Sequence, residues 1–147
     1  MNALTKPAPL MPVAMARDAI TQLAAVMHAL PIEKHEPMEN LHDFAPGIYA
    51  RTIFMRAGVV YISRIHKTQH FFVVAEGACT VIDSHGNRML IAAPYLGKTE
   101  PGTQRAIHVH EDTIWTTFHV TDLTDPDEIG RQIMAETFDE AESVVTP

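Results

Sequence analysis

Between residues 48 and 121 the chain alternates short β-branched and aromatic runs with polar breaks that carry glycine, proline or asparagine. The runs fall at 48–54, 59–62, 71–75, 79–83, 88–93, 104–109 and 113–121, with Tyr95-Leu96 continuing past Pro94. Short runs of this composition between turn signals read as strands, and a series with no helix between them predicts an antiparallel sandwich or barrel. The turns are expected at Ala57-Gly58, Lys67-Thr68-Gln69, Ser84-His85-Gly86-Asn87, Glu100-Pro101-Gly102-Thr103 and His110-Glu111-Asp112. The Gly86-Asn87 pair suits a hairpin because both residues accept positive φ.

The periodicity changes at both ends. Over residues 14–30, Ile20, Leu23, Met27 and Leu30 recur at helical spacing, and Pro31 stops the helix. Asp125 is a helix N-cap, with Pro126 at the first helical position and Glu128 three residues after the cap. Ile129, Ile133, Met134 and Phe138 then form its apolar stripe. Residues 1–13, with three prolines, read as an arm, 32–46 as a polar link holding His35 and His42, and the tail after Asp139 as frayed. The chain thus divides into an N-terminal arm and helix (1–44), a β-barrel (45–122), and a C-terminal helix and tail (123–147).

Candidate chemistry lies in the stretch 58–77, GVVYISRIHKTQHFFVVAEG. His66 and His70 sit at the two ends of a polar break between strand-like runs. A turn there brings two imidazoles close on neighbouring strands, a starting geometry for a metal site. Six of the nine histidines fall between His66 and His119. His28 belongs near a helix C-terminus, and His85 reads as a turn residue.

The 147 residues, 46% apolar and 20% charged, suit one soluble domain. A net charge of −7 without a basic run argues against nucleic acid as a partner. No apolar run approaches the roughly 20 residues that span a bilayer, and no signal peptide is evident. One cysteine, Cys79, cannot form an internal disulfide, so a reducing, cytoplasmic setting is expected, with Cys79 a small buried apolar residue.

The first cupin motif runs Gly, five residues, His-x-His, three or four residues, Glu, six residues, Gly. Here Gly58, Arg64-Ile65-His66, His70 and Gly77 hold that spacing, so residues 45–122 resemble a small single-domain cupin. The flow HKTQH, PGTQRA, HEDTIWTTFH is also similar to short cupins encoded by tailed bacteriophages. Two positions depart from the family: Arg64 stands at its first histidine and His70 at its glutamate. In the second motif only Gly102 fits well, with Arg105 at the histidine position, Val109 at the asparagine and the proline displaced to Pro101.

The resemblance implies a double-stranded β-helix, or jelly roll, holding a divalent metal such as Fe(II), Zn, Ni or Mn. Transfer of the motif gives two ligands, His66 and His70. The others are to be supplied from His108, His110 and His119. His110 is favoured because a strand end near a barrel mouth can turn inward, and His119 is the alternative. Alternation leaves the face open: if Arg105 points in, His108 and His110 point out unless a bulge intervenes. An inward Arg64 or Arg105 needs a carboxylate partner, with Glu76, Glu100 and Glu111 available, or an anionic ligand. Tyr61, Phe72 and Trp115 could line a pocket.

The activity so implied is a metal-dependent dioxygenase, isomerase or lyase acting on a small polar or anionic molecule, in a homodimer. The alternatives are a non-catalytic metal- or ligand-binding sensor or accessory protein, and a structural dimer.

Overall fold

A computed structural model describes residues 10–30 and 39–143. The elements run α1 (Val13–His28), β1 (Glu39–Ala45), β2 (Ile48–Met55), β3 (Val60–Ile62), β4 (Ile65–His66), β5 (His70–Asp83), β6 (Arg88–Ala92), β7 (Tyr95–Thr99), β8 (Arg105–Val120), α2 (Pro126–Ile133), β9 (Met134–Ala135) and α3 (Phe138–Ser143). Residues 1–9 of the arm expected over 1–13, and residues 32–38 of the link expected over 32–46, His35 among them, lie outside the described residues.

Seven strands form one antiparallel sheet in the order β1-β2-β8-β5-β6. β3 extends β2's side of β8, and β7 extends β6's side of β5. Two long strands, β5 and β8, therefore run side by side through the middle. The register between them shifts at Val74/Glu76, Glu76/Ala78 and Ala78/Cys79. Such bulges bend a strand and raise its twist, so the sheet curls around one side.

The alternation of β8 defines that inner side. Arg105, Ile107, Val109, Thr113, Trp115, Thr117 and His119 are buried, while His108, His110 and Val120 are exposed. Ile53, Met55, Phe72, Val74, Cys79, Val81 and Ile91 meet this face and form the main core. The Trp115 and Phe72 rings stack at 4.4 Å. Burial pushes the Cys79 thiol up to about 11, which leaves it protonated and unreactive.

Four expectations are corrected. The turn at 110–112 does not form: 104–109 and 113–121 run on as one strand, with the register shifts between β5 and β8 falling across it. Likewise 71–75 and 79–83 join into β5. Residues 39–45, read as part of a polar link, pair along the whole of β2 as an edge strand. Finally, the strands around His66 and His70 are not neighbours. β4 pairs with β9 at the far end of the chain, Ile65 opposite Ala135 and His66 opposite Met134.

The terminal helices follow their signals. Asp125 Oδ1 accepts from the Asp127 amide at 2.9 Å, and Ile129 and Ile133 are buried against Tyr49 and Met134. The helix stops one residue before Met134, which enters β9, so the expected stripe divides between α2, β9 and α3. On α1 only Ala16 and Ile20 are buried, whereas Leu23 and Leu30 are 38% and 45% exposed, so its stripe is covered at one end only.

Candidate metal centre

Three imidazoles meet inside the sheet. His66 comes from β4, His70 opens β5, and His119 lies near the end of β8. The ring centres of His66 and His70 are 4.8 Å apart, and those of His70 and His119 are 4.3 Å apart. All three residues are buried. Each ring leaves one nitrogen buried and without a hydrogen-bond partner: Nδ1 of His66, Nε2 of His70 and Nδ1 of His119. An unmet buried polar atom costs about 1–3 kcal/mol, so three in one place call for an explanation.

The other nitrogens show how the rings are held. Nδ1 of His70 donates to the Thr68 carbonyl at 3.0 Å, which leaves Nε2 with a free lone pair. His119 Nε2 meets the Thr117 hydroxyl at 3.1 Å. Tyr49 stacks on His119 at 5.9 Å, and its hydroxyl bonds to Nδ1 of His42 at the surface. As the rings stand, they do not close on a common centre: among the described residues no group of three His, Cys, Asp or Glu donors is set to hold a metal ion.

All three rings are neutral at neutral pH. Burial, and then the neighbouring His70 and Arg105, hold His66 well below the ordinary imidazole value. Burial brings His70 down to about 4, against the opposing pull of the Thr68 carbonyl. Burial, His70 and Arg51 bring His119 down to about 3. A measurable consequence follows for metal-free protein. Below about pH 6.5 the unfolded chain takes up protons that the folded barrel refuses, so the folded state is favoured above that pH and loses ground as pH falls toward 4. Between pH 7 and 4.5 this is expected to cost on the order of 2 kcal/mol for each ring, a fall in melting temperature of roughly 5 °C or more per ring. Thermal scans in chelator check it, and His119→Phe should remove part of the slope.

Beside His66 is a cavity of about 30 Å³, room for about one water molecule. Arg51, Tyr61, Arg64, Arg105, Trp115 and Thr117 contribute to its wall, which among the described residues holds no carboxylate. The structure thus places Tyr61, Arg64, Arg105 and Trp115, singled out from the sequence, around one space with His66. Their states differ. Arg105 is buried, donates from Nη2 to Thr99 Oγ1 at 2.9 Å, and lies over the rings of Phe72 and Trp115 at 4.8 and 5.6 Å. Burial lowers its pKa to about 10, so it keeps its charge. Arg64 is exposed and pairs with Glu136 at 2.9 Å. Neither arginine uses Glu76, Glu100 or Glu111, which were its expected partners.

His110 does not join the cluster. It stands on the outer face of β8, where its ring meets His108 at 4.7 Å and Nε2 meets the Thr80 hydroxyl at 2.6 Å. The reason is strand parity: Arg105 points in, β8 runs on without a turn, and Ile107, Val109, Thr113, Trp115, Thr117 and His119 share its side, only Glu111 departing where the register shifts. Arg51, absent from the sequence-derived candidates, faces the same side between Tyr49 and Ile53, opposite Thr117. Its place in the alternating pattern of β2 was the available signal.

No known family profile and no curated protein sequence matches the chain. Solved structures with a similar fold do. The protein NMB1881 from Neisseria meningitidis superposes with a TM-score of 0.50 at 13% identity, over 69% of this chain and 96% of that one. Salicylate 1,2-dioxygenase from Pseudoaminobacter salicylatoxidans, as adducts with gentisate, superposes with a TM-score of 0.51 at 13% identity, over 80% of this chain and 36% of its own. A second structure of that dioxygenase gives 0.51 at 16% identity, over 71% of this chain and 32% of its own. The chain therefore spans about a third of the dioxygenase. Likeness at such identity establishes the architecture, a cupin-type antiparallel β-barrel with flanking helices, and leaves function to the site.

Proposed function

We propose that His66, His70 and His119 hold one divalent metal ion, and that the protein is a metal-binding cupin that takes a small anionic molecule. The observation that carries this reading is the set of three unpartnered buried nitrogens, one on each of three neutral, adjoining rings. Two imidazoles bound to one ion at about 2.1 Å have ring centres roughly 4.5–5 Å apart, close to the separations found, so ring rotation is the main adjustment required. Nitrogen ligands with no thiolate or carboxylate suit Fe(II), Zn, Ni or Mn. Such an ion supplies Lewis acidity, or redox capacity where the metal allows it, to a bound molecule. Around it the Thr68 carbonyl fixes the His70 tautomer, Thr117 steadies His119, and Arg51 and Arg105 supply positive charge for an anion.

The reaction classes that fit are those of a dioxygenase, isomerase or lyase. The cavity wall without a carboxylate favours a second reading, a module that binds metal and ligand without turnover, since no carboxyl group is at hand to act as acid or base there. In either case a homodimer is expected, with exposed Phe71 and Val120 on the outer sheet face. A solution mass of twice the chain checks this, and a monomer at all concentrations removes it.

The test of the metal itself is elemental analysis of full-length protein purified without chelator from medium supplemented with iron, zinc, nickel and manganese. About one ion per chain is expected. A content near zero, with no rise in melting temperature on adding any of the four, overturns the proposal.

A further inference from the structure

Arg105 touches a second, larger space. A pocket of about 400 Å³, which shares only Arg105 with the 30 Å³ cavity, lies between β7 and the turn that joins β5 to β6. Its apolar wall includes Phe72, Val81, Met89, Tyr95 and Leu96, and Arg105 contributes the buried cation. The volume is in the range that encloses a small organic ligand, about 300–1,000 Å³, whereas the cavity beside His66 is too small for one.

The charges around this pocket are unevenly committed. Asp83 is used by the turn: Oδ1 accepts from the amides of His85 and Asn87, and Oδ2 from the Asn87 side chain. Both oxygens of Glu100 accept from Gln69 Nε2, at 3.2 and 2.9 Å. Lys98 stands at the rim over Phe71. Arg105 makes no ion pair among the described residues, and its one hydrogen bond, to the neutral Thr99, engages one of its five N–H donors. Unlike Arg17 Nε, none of its side-chain nitrogens is sealed off as a buried orphan, so the remaining donors reach open space. Asp83 lies opposite Arg105 and favours its charge, but no acceptor of Asp83 bonds to the guanidinium; a ligand carboxylate supplies the matching fork of acceptors that this buried cation lacks.

We propose that this pocket binds a small monocarboxylate with an apolar ring or chain, its carboxylate on Arg105 and its body against Phe72, Met89 and Tyr95. This deepens the reading of an anionic ligand and places it beyond Arg105 from the imidazoles. It does not depend on a metal, so binding is the same in metal-free and metal-loaded protein.

Trp115, the only tryptophan, lies against the Arg105 guanidinium and reports on it. The experiment titrates chelator-treated, full-length protein with cyclohexanecarboxylate, which does not absorb where tryptophan does, and with cyclohexanecarboxamide as the neutral match. Trp115 fluorescence and calorimetry are the readouts. The acid is expected to bind with Kd of about 1 mM or tighter, and the amide at least ten-fold more weakly. Arg105→Gln should abolish the preference for the acid. Because that change touches the core, Leu96→Glu serves as a second variant. It adds a like charge at an exposed rim position and should weaken the acid several-fold more than it weakens the amide. Equal binding of acid and amide overturns the proposal, as does absence of binding to folded wild-type protein, or indifference of the acid to both variants. If the carboxylate binds and no metal does, this site stands and the metal centre falls; the reverse outcome separates them equally.

Discussion

His70→Ala is expected to lower affinity for the divalent ion at least 100-fold, about 2.7 kcal/mol, while the barrel stays folded. His70 is the middle ring of the three, adjoining both His66 and His119. Its tautomer is already set by the Thr68 carbonyl, so the free Nε2 needs no proton loss to bind. Removing it leaves two separated rings and no chelate. Metal-free His70→Ala protein should lose little stability, because the deleted ring carried an unpartnered buried nitrogen whose cost offsets much of the lost packing. His66→Ala and His119→Ala are expected to act in the same direction. His110→Ala is the control: its ring faces outward with His108 and should leave affinity unchanged. Competition titrations against a chromophoric chelator measure all four variants. Retained affinity in His70→Ala, or an equal loss in His110→Ala, would remove the cluster from the chemistry.

Gly77→Ala should be the most damaging single methyl addition on the sheet. Gly77 has φ +93°, where an L side chain is strained, and it sits among the register shifts of β5. A Cβ there would collide with the Asp112 carbonyl oxygen and with Cα and Oγ1 of Thr113. Those backbone atoms belong to the central strand pair and cannot move alone. Strain and overpacking together are expected to cost about 3 kcal/mol or more. Gly58→Ala separates the two causes: φ is +90°, but nothing lies within 4 Å of its Cβ, so a loss of about 1 kcal/mol is expected. Urea midpoints of the two variants give the comparison, and equal losses would show that the collision at Gly77 relaxes.

The sequence was readable wherever the chain makes its structure locally. The hairpin at 84–87 and the Asp125 cap depend on neighbouring residues, and both form, though at the hairpin Gly86 alone takes positive φ while Asn87 bonds to Asp83. The candidate site was readable in part for a related reason. Arg105 and His119 are both odd-numbered on one strand, so parity alone places them on the same face. What concealed this was His110-Glu111-Asp112, polar enough to read as a turn, which made His110 look like a strand end. Whether three polar residues break a strand depends on the partner, and the partner's bulges lie more than 30 residues away in the chain. β4 was hidden for the same reason: nothing near His66 indicates that Met134 will pair with it. β1 went unread because an edge strand need not be apolar, and all seven of its residues are exposed.

The short pairing of β4 with β9 has a bearing on the order of events at synthesis. A ribosome releases His70 and His119 well before Met134 and Ala135, which flank His66 from the other side. The third imidazole is therefore fenced in only once residues 134 and 135 have emerged. If His66, His70 and His119 hold an ion as proposed, one arriving earlier would meet a half-built cage.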